Sequence, residues 1–133
     1  MKVSKKTVVS IIMNCFNGEK FLKKSLQSVI NQSFKNWELI FFDNNSTDQS
    51  VEIVNEFQDK RFKIISSKKH LKLYDARNEA LKYVKGKFIA FLDTDDWWTK
   101  NKLKDQVNLF NKNKKVDLVY SNFYVHNSRK KTN

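Results

Sequence analysis

The sequence predicts an α/β domain with a mostly parallel sheet and helices on both of its faces. Short apolar runs alternate along the chain with segments whose apolar residues recur at helical spacing. Parallel neighbours in a sheet need crossover connections, which are right-handed, so this alternation favours a parallel sheet. The 133 residues are 40% hydrophobic and 14% aromatic, which supports one folded domain with its own core.

The first part of the chain is predicted to form a strand, a helix and a second strand. Thr7–Met13 is rich in β-branched and apolar residues and runs into a turn at Asn14–Gly18. From Glu19 onward, apolar residues recur at helical spacing. Trp37–Phe42 is the second strand, and the polar stretch Asp43–Asp48 follows it.

A second helix, a third strand and a third helix are predicted next. Ser46 and Gln49 resemble a capping box for the second helix. Phe62–Ser66 forms a weaker third strand. Leu73–Val84 carries a helical apolar pattern, and Gly86 is expected to end that helix in the C′ position.

The last part of the chain begins with a fourth strand that ends in charge. Phe88–Leu92 has no polar residue and is predicted to be buried on both faces. A helix capped by Thr99 should follow, and Asp117–Val125 is predicted as a last strand. We expect residues 1–125 to form one domain and residues 126–133 to form a basic polar tail.

A Rossmann-like strand order of 3-2-1-4 places a ligand crevice between the first and fourth strands. In that order the winding direction reverses at this point, and the carboxyl ends of all parallel strands share one edge. Polar clusters follow three of the strands, at Asn14–Asn17, Asp43–Asp48 and Asp93–Asp96. These clusters are therefore expected to meet beside the crevice.

The acidic cluster is a candidate metal site. Asp93, Asp95 and Asp96 place three carboxylates within four residues, which is electrostatically costly unless they share a cation. Oxygen ligands without nearby Cys or His favour Mg²⁺ or Mn²⁺, which usually keep positions open for substrate phosphates. The alternative is a solvated acidic loop that caps the following helix.

The crevice must bind phosphates without a glycine-rich loop, because Gly18 and Gly86 are the two glycines of the chain. A metal on Asp93 and Asp95 would bridge phosphate oxygens of a nucleoside diphosphate. Phe16 is placed to lie against a base, with Asp43 or Asn44 at the edge of that base. Two roles stay open for Arg77, which is placed either to contact a phosphate or to pair with the acidic cluster.

Four motifs, in order, resemble those of the family 2 glycosyltransferases, which have the GT-A fold. The resemblance runs from about Val8 to Tyr120. Asn14-Cys15-Phe16-Asn17 resembles the family's Pro-x-Tyr-Asn, and Asp43-Asn44-Asn45-Ser46-Thr47-Asp48 resembles its Asp-Asp-Gly-Ser-Thr-Asp. Ala76-Arg77-Asn78 and Asp93-Thr94-Asp95-Asp96 match its Ala-Arg-Asn and Asp-x-Asp-Asp, and Trp97–Gln106 resembles the family's segment after that acidic motif.

The resemblance implies a sugar-nucleotide donor, often a UDP-sugar, with Mn²⁺ or Mg²⁺ as cofactor. It implies Phe16 on the uracil, Asp43 at the base, Arg77 near the phosphates, and Asp93 and Asp95 serving ribose and metal. The predicted nucleotide-binding residues are Asn14, Phe16, Asn17, Asp43, Asn45, Arg77, Asp93 and Thr94, and the predicted metal ligands are Asp95 and Asp93.

Departures from the family pattern affect the base and the chemistry. Asn14 replaces the proline, Phe16 lacks the tyrosine hydroxyl, and Asn44 and Asn45 replace Asp-Gly. In the family, the acceptor-binding half and the catalytic base lie beyond the Asp-x-Asp motif. We expect that half to be absent from this chain, which ends at Asn133, so no catalytic base is assigned.

The formal net charge of +12 favours anionic partners. Lysine-rich clusters would suit an anionic membrane carrying a glycan or lipid-linked acceptor, on the cytoplasmic face. These clusters are Lys2–Lys6, Lys68–Lys72, Lys112–Lys115 and Arg129–Lys131. Nucleic acid is not expected as a partner, because no known module signature is present. The alternative function is that of a non-catalytic fragment, lacking the acceptor site, that binds a nucleotide or forms a homo-oligomer.

Overall fold

The structure, a computed structural model that describes residues 7–126, contains a four-stranded sheet of parallel strands. Its order is β3-β2-β1-β4, which confirms the predicted order of 3-2-1-4. The strands are β1 (Val9–Cys15), β2 (Trp37–Asp43), β3 (Phe62–Ser66) and β4 (Phe88–Phe91). The predicted lysine clusters at 2–6 and 129–131, and the predicted tail apart from His126, lie outside the described residues.

Helices cover both faces of the sheet, as predicted. They are α1 (Glu19–Ile30), α2 (Ser50–Glu56), α3 (Leu73–Leu81) and α4 (Lys102–Lys112). Helices α1, α2 and α4 contribute to the core on one face, and α3 packs on the other. Among residues 7–126, no helix has the length and apolar character needed to cross a lipid bilayer.

Successive side chains of a strand point to opposite faces of the sheet. Both faces of the two central strands are covered by helices, so side chains of either orientation are buried. Ile11 and Phe41 belong to the core beneath α1 and α4. Ile12 and Phe42 pack in the smaller core beneath α3. The near-continuous apolar sequence of β1 and β2 is the pattern expected for central parallel strands.

Strand β4 corrects one prediction, because it is buried on only one face. Phe88 and Ala90 pack against the larger core, while Ile89 and Phe91 on the opposite face remain 45% and 51% exposed. Within residues 7–126, strand β4 is at the edge of the sheet. Helix α3 packs against β1 and β2, so the outer face of β4 receives no helix cover in the described chain.

The predicted last strand, Asp117–Val125, is wrong. This segment has no regular secondary structure, and Tyr120 and Tyr124 are 85% and 95% exposed. Its apolar and aromatic composition is typical of a strand, but a strand also needs a neighbour to satisfy its backbone groups. Within residues 7–126, the segment is not paired with the sheet.

Gly86 has a different role from the one predicted. Helix α3 ends at Leu81, and Gly86 lies against β1 instead. Its backbone N–H donates to Ser10 Oγ at 2.8 Å, and a Cβ at this position would lie 2.5 Å from the Ser10 nitrogen. Gly86 therefore allows close approach of the chain that enters β4.

Candidate functional site

The sheet register brings the polar clusters to one edge. Cys15 at the end of β1 is level with Asp43, and Asp43 is level with Ser66 at the end of β3. Phe91 at the end of β4 is level with Ile12. All strands are parallel, so the loops that follow them leave from the same carboxyl edge, as the sequence predicts.

The loops after β1 and β2 are joined by hydrogen bonds. Asn17 adopts a left-handed conformation with φ of 52°. Its backbone N–H donates to Ser46 Oγ at 3.0 Å, and its Oδ1 accepts from the Thr47 N–H at 2.8 Å. Asp48 Oδ2 accepts from the Glu19 N–H at 3.0 Å, which ties the second loop to the start of α1. The backbone N–H and the Oδ1 atom of Asn17 thus hold the two loops together.

The predicted capping box at Ser46 is wrong, since α2 begins later. Asp48 Oδ1 accepts from the Ser50 N–H at 3.0 Å, in the first turn of α2. Burial alone would raise the pKa of Asp48, but hydrogen bonds from Ser50 and Glu19 outweigh it and lower this pKa. Ser46 instead receives the N–H of Asn17, which the sequence pattern did not indicate.

The loop after β4 packs against the loop after β1. A Cβ built on Gly18 would lie 2.9 Å from Thr94 Oγ1 and 3.0 Å from Cys15 Sγ. Ser25 Oγ on α1 donates to the Asp93 carbonyl at 3.2 Å. The acidic cluster is therefore held beside the first loop, on the far side of that loop from β2.

A fourth loop, residues 67–72, closes the edge on the β3 side. The Asn44 side chain binds Leu71 at both its backbone groups, with Nδ2 donating to the carbonyl and Oδ1 accepting the N–H, each at 2.8 Å. His70 lies over Phe16, with ring centroids 4.1 Å apart. Sequence reasoning missed His70, since a lone histidine in a lysine-rich loop carries no pattern.

The residues predicted to contact the base differ in exposure. Phe16 is 50% exposed, whereas Asp43 is 4% exposed and accepts the Ser46 N–H at 3.1 Å through Oδ1. Asn45 is exposed and has a φ of 66°. Asn14 Nδ2 is a buried atom that lacks a hydrogen-bond partner within the part of the chain described. A buried donor without a partner is uncommon in folded proteins, and a bound water or ion can satisfy it.

Arg77 pairs with the acidic cluster, one of the two roles left open by the sequence. Its guanidinium lies 3.1 Å from Asp93 Oδ1, with the two side chains 38% and 59% exposed. The same guanidinium carbon lies 5.8 Å from the centre of the Phe91 ring. This position places a cation beside the carboxylates at the mouth of the crevice.

The acidic cluster is open to solvent. Asp93, Asp95 and Asp96 are all exposed residues. Partial desolvation by the surrounding protein, together with the negative charges of Asp95 and Asp93, raises the pKa of Asp96. Across residues 7–126, no group of three or more Asp, Glu, His or Cys side chains is close enough to enclose a metal ion.

These carboxylates fit an open metal site. Magnesium is commonly bound by one or two carboxylates together with substrate phosphates and water, without a complete protein cage. Two exposed carboxylates, Asp93 and Asp95, with oxygen ligands alone, match that chemistry. A divalent cation there would also offset the mutual repulsion within the cluster.

The chain is similar to bacterial glucosyltransferases. It is 41% identical over 121 residues to the UDP-Glc:alpha-D-GlcNAc-diphosphoundecaprenol beta-1,3-glucosyltransferase WfgD of Escherichia coli, covering 91% of this chain and 47% of the relative. It is 38% identical over 118 residues to WfaP of Escherichia coli, which has the same description, covering 89% and 47%. The chain spans about half the length of these relatives.

The fold is that of solved GT-A glycosyltransferases. The Staphylococcus aureus protein TarS, residues 1–349, in complex with UDP-GlcNAc, superposes with a TM-score of 0.74 at 31% identity. The superposition covers 79% of this chain and 31% of that TarS chain of residues 1–349. The family model for glycosyl transferase family 2 matches residues 10–133. Sequence, fold and family model agree, and this chain belongs to glycosyl transferase family 2.

Proposed function

We propose that this chain binds the sugar-nucleotide donor, a UDP-sugar, in a glycosyltransferase of surface polysaccharide or glycolipid synthesis. The observation that carries the proposal is the meeting of three polar loops at one carboxyl edge. Hydrogen bonds join Asn17 to Ser46 and Thr47, and Gly18 packs against Thr94. Parallel α/β sheets bind ligands at such an edge.

The nucleoside would occupy the β1–β2 side of the crevice. The half-exposed ring of Phe16 offers a surface for the uracil, with Asp43 at the base edge. Asn14 near the end of β1, and Asn17 and Asn45 in the loops after β1 and β2, would surround this position. The names of the relatives support uridine, since both are described as using UDP-Glc and the superposed TarS structure contains UDP-GlcNAc.

The diphosphate would lie towards β4, where the charges are. Arg77 would donate hydrogen bonds to phosphate oxygens, which requires it to share or leave its pairing with Asp93. Asp95 and Asp93 would hold Mn²⁺ or Mg²⁺, with Thr94 positioning the loop between them. When bound, such an ion stabilises the charge that grows on a departing nucleoside diphosphate.

Calorimetry tests the donor site. UDP and UDP-glucose should bind in MnCl₂ and lose at least tenfold in affinity in EDTA, and GDP should bind more weakly. Asp95→Asn should reproduce the EDTA result in the presence of metal. Asp105→Asn, which removes an exposed carboxylate of α4, is the matched control and should bind UDP as the parent does. Metal-independent UDP binding would contradict the role of the ion.

We further propose a lipid-linked glycan acceptor at the cytoplasmic face of a membrane. Both relatives carry diphosphoundecaprenol in their names, and the net charge of +12 favours an anionic surface. Incubation of the chain with UDP-glucose and a synthetic GlcNAc-diphosphoprenol, followed by mass spectrometry of the lipid, would detect transfer. Hydrolysis of the donor without acceptor is the accompanying measurement.

A second candidate is a nucleotide-binding module without transferase activity that associates with another copy of itself. The exposure of Ile89 and Phe91 on the open edge strand favours it, since exposed apolar surface is often covered in an assembly. This candidate predicts UDP binding with neither transfer nor hydrolysis. It also predicts a dimer in light scattering that Phe91→Asp converts to a monomer.

A further inference from the structure

A groove of about 890 Å³ lies between the outer side of α1 and the segment that follows the acidic cluster. It is separate from the crevice, and no predicted donor-site residue lines it. We call it the basic groove and define it by its charged and aromatic residues, Lys20, Lys23, Lys24, Trp97, Trp98 and Lys100. None of these residues belongs to a lysine cluster singled out from the sequence.

The charge of the basic groove is largely unbalanced. Lys23 lies 3.8 Å from Glu56, in a pair whose side chains are 76% and 64% exposed. Lys20, Lys24 and Lys100 are exposed and have no carboxylate within ion-pair distance in the described part of the chain. The groove therefore presents cations that no carboxylate of residues 7–126 neutralises, and these can meet an anionic surface.

The aromatic residues give the basic groove an apolar side. Trp97 is 38% exposed, and Lys24 Nζ lies 3.2 Å from the centre of its ring. Tryptophan has an apolar body and a polar N–H, which suits the boundary between headgroups and acyl chains, and neighbouring lysines extend towards phosphates. Soluble polyanions without aromatic bases, such as heparin, would use the lysines but offer no apolar layer for Trp97.

One segment of the chain carries the acidic cluster and one side of the basic groove, and hydrogen bonds fix this segment to α1. Residues 93–101 run alongside α1, where Ser25 Oγ donates to the Asp93 carbonyl at 3.2 Å and Ser28 Oγ accepts the Trp98 N–H at 3.1 Å. Contact of Trp97 with a bilayer would thus hold the donor site close to the membrane surface. A lipid-linked acceptor would then find its reactive end near the crevice.

We propose that the basic groove docks this chain on a bilayer that contains anionic phospholipids, with lysines on the headgroup phosphates and Trp97 at the interface. This inference rests on the proposed function, since a lipid-linked acceptor is what makes docking useful. Each lysine near an anionic surface contributes roughly fivefold in affinity. Loss of Lys20, Lys24 and Lys100 should therefore weaken binding by at least tenfold.

Vesicle co-sedimentation tests the proposal with the chain as it is. The probes are phosphatidylcholine vesicles with and without 30% phosphatidylglycerol, at about 0.1 M salt. The parent should bind the vesicles that contain phosphatidylglycerol and should not bind those of phosphatidylcholine only. The triple variant Lys20→Ser, Lys24→Ser, Lys100→Ser should lose at least tenfold. A matched control removes three exposed lysines that precede β3 and β4, at the opposite edge of the sheet, namely Lys60, Lys85 and Lys87.

Control and groove variants that lose binding equally would overturn the proposal, as would equal binding to neutral vesicles. Heparin capture that depends on the same three lysines with no preference for vesicles would assign the basic groove to soluble polyanions and also overturn the proposal.

Tryptophan fluorescence of the parent and of Trp97→Phe gives a second measurement. Trp37 is buried and Trp98 is less exposed than Trp97, so the parent's fluorescence should shift to the blue on anionic vesicles chiefly through Trp97. An undiminished shift in the variant would contradict the place of Trp97 at the interface.

The two proposals can fail separately. The triple lysine variant should bind UDP in MnCl₂ as the parent does, because the basic groove lies outside the crevice. Vesicle binding without UDP binding would leave docking intact and reject the donor site. UDP binding without any lysine-dependent vesicle binding would support the donor site and reject docking through the basic groove.

Discussion

Thr94 packs so closely on Gly18 that a Cβ at position 18 would lie 2.9 Å from Thr94 Oγ1. Gly18 has a φ of −99°, which other residues also adopt. The position therefore needs the absence of a side chain and not an unusual backbone. This contact joins the loop after β1 to the acidic loop after β4, and these two loops follow the strands between which the crevice is predicted.

Gly18→Ala should separate the two loops. We expect a loss of about 1–3 kcal/mol in the free energy of unfolding, because an added methyl group in a filled space forces its neighbours apart. Thr94→Ala removes Oγ1, so Gly18→Ala should cost less in that background. Denaturant unfolding of the parent, both single variants and the double variant measures this coupling. Additive costs would show that the contact is unimportant.

Arg77→Gln should affect ligand binding more than stability. The pair with Asp93 is solvent-exposed, and exposed pairs contribute about 1 kcal/mol or less. A hydrogen bond from a guanidinium to a diphosphate is worth about 1.5–3 kcal/mol. UDP affinity measured by calorimetry should therefore fall at least tenfold, with unfolding nearly unchanged. A larger effect on unfolding than on UDP binding would make Arg77 a structural residue.

The parallel sheet was predictable because it follows from general rules of connection, and the predicted order 3-2-1-4 is the usual one for half of a Rossmann-like sheet. Alternating strands and helices required a parallel sheet, and the parallel sheet placed Asp43 and Asp93 at the same edge. That inference needed no knowledge of packing. It held even though the predicted ends of individual elements were imprecise, as at the start of β1, where Val9 and not Thr7 is the first residue.

The wrong predictions concern features that are determined by tertiary contacts between distant segments. The apolar run of β4 predicted burial on both faces, but the cover of each face depends on where α3 lies, which periodicity does not report. Asp117–Val125 had strand composition without a strand to pair with. Gly86 near a helix end resembles a C′ glycine, and its actual neighbour, Ser10, is far away in sequence.

Within the candidate site, sequence motifs identified loop residues but not their partners. The contact of His70 with Phe16 and the clamp of Asn44 on Leu71 both join segments more than twenty residues apart. The basic groove was also missed, because Lys20, Lys24 and Lys100 are brought together by the packing of segment 93–101 on α1. Clusters of lysine in sequence are poor guides to such surfaces.

Asp59→Asn should weaken the protein at neutral pH and matter less in acid. Hydrogen bonds from the Arg61 side chain lower the pKa of Asp59, with a shortest contact of 2.6 Å. A carboxylate with a lowered folded-state pKa contributes stability above its unfolded pKa, and that stability is lost as pH falls through the folded value. The difference from the parent should be about 1–2 kcal/mol at pH 7 and shrink below about pH 4.

Urea unfolding of the parent and Asp59→Asn from pH 3 to pH 7 measures this effect. Asp117→Asn, which removes a carboxylate in an exposed segment, is the control and should track the parent throughout. A difference that persists unchanged at pH 3 would mean that Asp59 stabilises the turn by its shape and hydrogen bonding in either charge state. The guanidinium carbon of Arg61 also lies 3.6 Å from the centre of the Trp37 ring. Loss of the Asp59 carboxylate, which holds Arg61, is therefore expected to loosen the start of β2.

Gln32→Leu should be among the most destabilising single substitutions of a polar residue. Gln32 is fully buried, and its amide donates to the Thr99 carbonyl at 2.7 Å and accepts from the Leu103 N–H at 3.0 Å. Leucine has a similar volume but would leave the Leu103 N–H unpaired in the interior. The Thr99 carbonyl would keep only its weaker hydrogen bond from the Lys102 N–H, at 3.2 Å. We expect a loss of about 2–4 kcal/mol in the free energy of unfolding.

The control for Gln32→Leu is Gln27→Leu, which changes an exposed residue of α1 and should cost less than about 0.5 kcal/mol. Because Gln32 anchors the chain between Trp98 and α4, its loss should also free the segment that carries the acidic cluster. Hydrogen exchange should therefore become faster in residues 97–103 before it does so in β1 and β2. Uniform acceleration across the chain would instead indicate that Gln32 supports the whole fold and does not fix this segment in particular.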